Sequence, residues 1–334
     1  MKEAEMLSKL NPKFRDYATR LFNENPEIVK KLYNVYLSKE VSGEELQDAF
    51  RAIALYSLMH FEKLVSFPQI SNDKTTNKDV AAFVFSEGAG SRLSLLGLNT
   101  EKAMLEVPSA DGFSPLVQLA YADLGANGLR TVLTTSGRTS SLYRAIFGNN
   151  DNVILTEEPG SNKYRALAEC IKSLGQVPNV VFRTCADTLR CRHLLKLGIE
   201  KQLGLPNPED YIVILARNLD KTRKNGLSSV SVKTDGDVAL NFTKSPSIRE
   251  GDDRLLYKVG SLIGRNMIYK LMDAGDVTYN TFCNNMPQGR ILLVAVDSSQ
   301  NKGIDDVFDL QDYVKETQGI KSLYDAVKAR YRNG

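Results

Sequence analysis

From about residue 80 the chain alternates short runs of Val, Ile, Leu and Phe with longer amphipathic runs, and this alternation limits the fold more than any other feature. "AAFVFS", "TVLTT", "NVILTE", "NVVFRT", "YIVILAR" and "RILLVAVD" have strand length and composition, and "SLYRAIFG", "NKYRALAECIKSLG" and "CRHLLKLGIEKQLG" have helical spacing. Parallel neighbours in a sheet need a crossover between them, usually a helix. The expected class is therefore a mixed, helix-rich α/β fold with a mostly parallel sheet. "SSVSVKTDGDVALNFTK" departs from that rhythm and predicts one hairpin, turning at Asp235 to Asp237.

Before this region the texture is helical. "PKFRDYATRLF", "PEIVKKLYNVYLSK" and "SGEELQDAFRAIALYSLMHFEKLV" place apolar residues three and four apart, and Ser42 with Glu45 forms a capping-box pattern at the start of the third. "SFPQISNDKTTNKD", residues 66–79, combines a proline with turn-forming residues. The expected division is a helical lobe over 1–79 and an α/β lobe over 80–334, the latter closing with helical segments "DDVFDLQDYV" and "IKSLYDAVKARYR".

With 42% apolar and 25% charged residues, the chain has the composition of a folded globular protein. No run approaches the roughly 20 apolar residues of a membrane span, and the first residues carry no signal-peptide pattern. The four cysteines are irregularly spaced, which predicts free thiols in a reducing, cytoplasmic compartment with no membrane partner. Cys185, Cys191 and His193 match no common zinc spacing, so neither a metal nor a cofactor is expected. His60 falls inside a helical run, and the carboxylates of "TDGD" and "EGDDR" fall in turn sequences, so no acid/base pair is legible. An enzyme is not the first expectation.

Charge is distributed unevenly. Residues 181–270 hold 16 Lys and Arg against 10 Asp and Glu, a net of +6 in a chain whose total is +3. Aromatic residues are interleaved with these cations, as in surfaces that track a phosphate backbone and stack bases. The leading expectation is thus an RNA- or single-stranded-DNA-binding subunit of a repeated, homo-oligomeric assembly, nucleoprotein-like and of viral or phage type. Arg217, Lys221, Arg223 and Lys224 would contact phosphate, with Arg190, Arg192, Arg249, Arg254 and Arg265 near the same groove. Such a protein would reside in the cytoplasm, or in the host cytoplasm or virion. A capsid or scaffolding protein is a further reading of the same charge pattern.

A reading of a different class starts from "TVLTTSGRTSSLYRAIFG", where a polar turn joins a strand to a helix. Amides at a helix start lack intrahelical partners and favour an anion. Ser136, Gly137, Arg138, Thr139 and Ser140 would then hold the phosphate of a small molecule, making the chain an α/β enzyme or sensor with its site on the Ser136–Ser141 turn. The competing explanation is that Thr139 or Ser140 caps the helix. "VFSEGAGSRLSLLGL" offers Gly88, Gly90, Ser91 and Arg92 at a second such turn, without dinucleotide spacing, and no GxxxxGK[ST] occurs. A P-loop ATPase is disfavoured.

Residues 131–159 resemble the strand-turn-helix that holds the cofactor phosphate in pyridoxal-phosphate aminotransferases. That resemblance implies an Asp on the pyridine nitrogen and a downstream Schiff-base Lys. Lys244 is the candidate lysine, with no convincing acidic partner before it, so the resemblance carries no cofactor expectation.

Overall fold

A computed structural model describes residues 2–61, 77–86, 93, 96, 101–109, 112–135, 140–157, 167, 174, 178–189, 191–219, 229–245, 247–275, 277–297 and 301–333. The chain separates into two units: one holds residues 1–68, 88–116 and 303–334, the other 69–87 and 117–302.

The first unit is helical. It contains α1 (Lys2–Ser8), α2 (Pro12–Glu24), α3 (Pro26–Lys39), α4 (Gly43–Phe61), the β2–β3 hairpin (Glu106–Ser109 and Gly112–Pro115) and the last two helices of the chain, Val307–Gln318 and Leu323–Asn333. The capping box forms as the sequence predicts: Glu45 N donates to Ser42 Oγ at 3.2 Å, and Ser42 N donates to Glu45 Oε2 at 3.0 Å. The buried face of α4 packs on the C-terminal helices. The Arg51 guanidinium lies 5.1 Å from the Phe14 ring centroid and 5.6 Å from that of Tyr324, and Gln311 Nε2 donates to Asp48 Oδ2 at 2.9 Å. Lys39 on α3 reaches Asp309 and Asp306 at 2.5 and 3.2 Å, and Asp306 also caps the helix that follows it, accepting from Phe308 N and Asp309 N.

The second unit holds a nine-stranded sheet of β1 (Val80–Phe85), β4 (Arg130–Thr135), β5 (Val153–Glu157), β6 (Val180–Cys185), β8 (Ile212–Asn218), β9 (Ser229–Asp235), β10 (Val238–Lys244), β11 (Arg254–Gly264) and β12 (Ile291–Val296); β7 (Thr188–Leu189) lies outside it. The strand order is β5-β4-β1-β6-β11-β8-β12-β10-β9. From the pairings, β10 and β11 run opposite to the other seven strands. The mixed, helix-rich α/β class is therefore observed, with four parallel and five antiparallel strand pairings in this sheet among the described residues, and so is the hairpin: β9 and β10 join through Gly236 at φ 58°, a left-handed conformation glycine adopts without steric cost.

β11 is the keystone. Its C-terminal half lies between β6 and β8, and its first four residues also pair with β9, from Arg254↔Val232 to Tyr257↔Ser229. β11, β8, β12, β10 and β9 thus form a closed ring of strands. A bulge between Lys258 and Gly260 bends β11 into both roles, and a side chain at Gly260 would collide with the Phe182 ring.

Helices cover the sheet: α5 (Leu116–Ala126), α6 (Ser140–Phe147), α7 (Arg192–Leu203), α8 (Arg265–Asp273) and α9 (Tyr279–Asn284). One apolar layer joins Ala81, Phe83, Val181, Ile212, Ile214 and Ile263 of the sheet to Met267, Ile268, Leu271 and Phe282 of α8 and α9. α7 approaches the sheet closely through Gly198, where even a Cβ would meet Leu215 and Leu262. Among the described residues no helix is long and apolar enough to cross a membrane.

Candidate active site at the carboxyl edge of the sheet

β1 has β4 on one side and β6 on the other, and the chain builds outward through β4 and β5 before returning to add β6. Such a reversal opens a crevice outside the carboxyl ends of the strands, where α/β sheets bind ligands. The strand ends there are tied together. Ser86 N donates to Thr134 Oγ1 at 3.1 Å, the Ser86 hydroxyl donates to the Thr134 carbonyl, and Ala186 N donates to the Phe85 carbonyl at 2.8 Å.

The chain leaves this edge after Ser86, after Thr135 and through the Ala186–Asp187 turn that follows β6. Gly88, Gly90, Ser91 and Arg92 lie outside the described residues, as do Ser136, Gly137, Arg138 and Thr139; Ser140 opens α6 and is half-buried. The half-buried carboxylate of Asp187 stands at the same edge. Sequence reasoning passed over it, although its signal was present: an acidic residue closing an apolar strand run, as in "VVFRTCAD".

Two cations, Arg183 and Lys258, stand on the face of the sheet that carries Phe83, Ile214 and Ala216. Arg183 of β6 is in register with Phe83 and Ser261, and Lys258 of β11 with Ala216. The Arg183 guanidinium lies 4.9 Å from the Phe85 ring centroid and 5.5 Å from that of Tyr279. The Lys258 ammonium lies 5.3 Å from the Tyr279 centroid and 5.9 Å from that of Phe242, and it donates to Asn280 Oδ1. Burial, reinforced by the Arg183 charge, pulls the Lys258 ammonium down to about 8. Cys283 beneath it is pushed up to about 11, chiefly by burial.

Of the nine cations named from the basic segment five are described, and these five do not all lie together. Arg254 opens β11 and Arg265 follows its last residue, so an 11-residue strand, roughly 35 Å long, separates them. Arg192 is at the start of α7 and donates to the Ala126 carbonyl at 2.9 Å. Exposed Arg249 lies between β10 and β11, its amide donating to Ser231 Oγ, and half-buried Arg217 lies at the end of β8. Arg190, Lys221, Arg223 and Lys224 lie outside the described residues.

No protein-family model matches the chain, and a search of curated proteins finds no significant relative. Solved structures do match its fold. A CMP:2-keto-3-deoxy-manno-octonic acid synthetase complexed with CTP aligns over 72% of this chain and 100% of its own, with TM-score 0.54 and 15% identity. An inositol-1-phosphate CTP transferase from T. maritima aligns over 78% of this chain and 98% of its own, with TM-score 0.52 and 14% identity. The fold is thus shared with these two proteins. This corrects the expectation of a viral, nucleoprotein-like subunit with RNA or single-stranded DNA as partner: the solved structures that share the fold are a synthetase complexed with CTP and a CTP transferase.

Proposed function

We propose that this chain is a nucleotidyltransferase that joins the nucleotidyl group of a nucleoside triphosphate to a phosphorylated small molecule. The observation that carries this reading is the reversal of strand order beside β1, with the half-buried Asp187 standing at the carboxyl edge where β4 runs toward the Ser/Gly/Arg sequence at 136–140. The fold shared with a synthetase solved with CTP and with a CTP transferase supports it. It keeps the phosphate role considered for Ser136 to Ser140 and gives the phosphate an owner.

In this reading an oxygen of the acceptor's phosphate attacks the α-phosphorus. A new P–O bond forms, the bond to the β-phosphate oxygen breaks, and pyrophosphate leaves. Such a reaction demands little covalent chemistry from the protein and much positioning and charge stabilisation. Backbone amides in the 136–140 stretch, with Arg138, would hold the triphosphate. Asp187 fits as an oxygen ligand for a Mg2+ ion accompanying the triphosphate, since Mg2+ commonly takes one or two carboxylates and fills its shell with phosphate and water. It would offset phosphate charge there.

The test is thermal unfolding with each of CTP, UTP, ATP and GTP in Mg2+, followed by a pyrophosphate-release assay across phosphorylated polyols and sugars. At least one nucleotide should raise the melting temperature, and Arg138→Ala should remove the rise while the fold persists. No shift with any of the four would sink the reading.

A further inference from the structure

We infer that Arg183 and Lys258 build a pocket, closed on one side by α9, that receives a doubly charged phosphate group carried by a small molecule. Opposed residues of neighbouring strands share a face, so Arg183 shares one with Phe83, Ser261 and Ile214, and Lys258 shares one with Ala216. Ile214 and Ala216 belong to one apolar layer, which places both cations on the same core-facing side. Both lie near the Tyr279 ring, the guanidinium 5.5 Å and the ammonium 5.3 Å from its centroid, close enough for the guanidinium charge to act on the ammonium.

Desolvating a cation is costly unless an anion compensates. Among the described residues no carboxylate pairs with Lys258; its contacts are the rings of Tyr279 and Phe242 and the Asn280 amide oxygen. Ring faces and one neutral acceptor return only part of the lost hydration. The spot is reachable from solvent at its rim: Phe85, Arg183, Lys258, Tyr279 and Asn280 are each partly exposed, although Ile214, Ala216 and Ser261 on the same face are buried. A guanidinium fork beside an ammonium is the donor set that phosphate recognition employs. The lowered basicity of Lys258 agrees with a cation held without its counter-charge.

Assigning this phosphate to the second substrate rests on the nucleotidyltransferase reading; the pocket itself does not. Inorganic phosphate is the probe, titrated into the full chain by calorimetry. In parallel, the NMR signal of Lys258 is followed in wild-type protein whose lysines are 13C-methylated. Phosphate should bind, with Lys258→Met and Arg183→Met each weakening it roughly tenfold or more, and Lys258→Arg retaining most of the affinity. In wild type, phosphate should raise the pH at which Lys258 titrates, a readout that stands even if a variant fails to fold. Equal phosphate binding by wild type and Lys258→Met, or a Lys258 signal indifferent to phosphate, would overturn the pocket. A nucleotide-induced melting shift measured on the same wild-type sample separates the two questions, because its absence removes the transferase reading and leaves the pocket result intact.

Discussion

The Tyr56 phenol donates a 3.1 Å hydrogen bond to the backbone carbonyl of Glu106, while the Glu106 carboxylate, in a residue 2% exposed, accepts none among the described residues. The bond fixes the start of β2 against α4 and leaves an acid in an apolar setting. Burial lifts its pKa from 4.5 to about 7, with Arg330 pulling the other way.

Stability of the first unit should therefore fall as pH rises through Glu106's titration. The folded acid binds its proton up to about 7 and the unfolded one only to 4.5, so the folded form holds the extra proton between those values. The penalty is absent below the lower value and complete above the upper one, where it amounts to about 3 kcal/mol. Glu106→Gln, which cannot ionise, should remove that dependence, so its stability relative to wild type should be about 3 kcal/mol greater at pH 8 than at pH 4.5, whatever pH-independent cost the unpartnered amide adds. Denaturant unfolding of both proteins across that range checks it; a constant difference would refute the assignment.

Lys39 should be most needed where Asp309 is ionised. Its ammonium is disfavoured by burial, but Asp309 and Asp306 overcome that and hold it above the ordinary lysine range. Burial and repulsion from Asp306 raise Asp309 to about 6, against the pull of Lys39. Lys39→Met leaves two neighbouring carboxylates buried without their cation, a loss of about 3 kcal/mol or more at pH 7.5. The loss should shrink at pH 5, where Asp309 can take a proton. Urea unfolding at the two pH values measures the difference.

Gly264, which ends β11 and precedes α8, should tolerate no side chain. Its backbone angles are φ −61° and ψ 146°, open to any residue, so the restriction is purely steric. A Cβ would sit 2.3 Å from the Glu209 carbonyl oxygen, and a backbone atom cannot swing aside as a side chain can. Gly264→Ala should cost about 3 kcal/mol, read as a lower denaturation midpoint with unchanged slope.

Asp187→Asn tests the proposed metal ligand without altering size. The variant should keep the wild-type melting temperature in buffer and lose the Mg2+-dependent part of any nucleotide-induced rise. A full rise in the variant would exclude Asp187 from the triphosphate site.

Much of the fold could be read from the residues because local chemistry specified it. Ser42 and Glu45 mark a helix start by their spacing, and the Gly-containing turn at 235–237 marks a hairpin. Runs such as "YIVILAR" announce strands buried on both faces. β11 was missed because a charged lysine and the bulge at Gly260 break its apolar rhythm, and because it follows a run of turn-forming acids in "REGDDR". The site was only half legible. Helix-start chemistry singled out Ser136 to Ser140, but chain position cannot report spatial position: Arg254 and Arg265, neighbours in a basic segment, stand at opposite ends of one strand. Arg183 and Lys258 carry the opposite lesson, for each is a lone charge inside an apolar strand and 75 positions apart in the numbering they face one aromatic ring.

The first unit is assembled from three separate stretches, 1–68, 88–116 and 303–334. During vectorial synthesis α4 emerges early, yet Tyr324 and Gln311, which pack against Arg51 and Asp48, are translated only after the entire nine-stranded sheet. The growing chain must therefore carry an unfinished helical bundle with an uncovered apolar face while the sheet folds, and completing that bundle is among the last events of folding. Destabilising changes in the first unit should accordingly reduce the yield of folded protein in cells more than its equilibrium stability in the test tube.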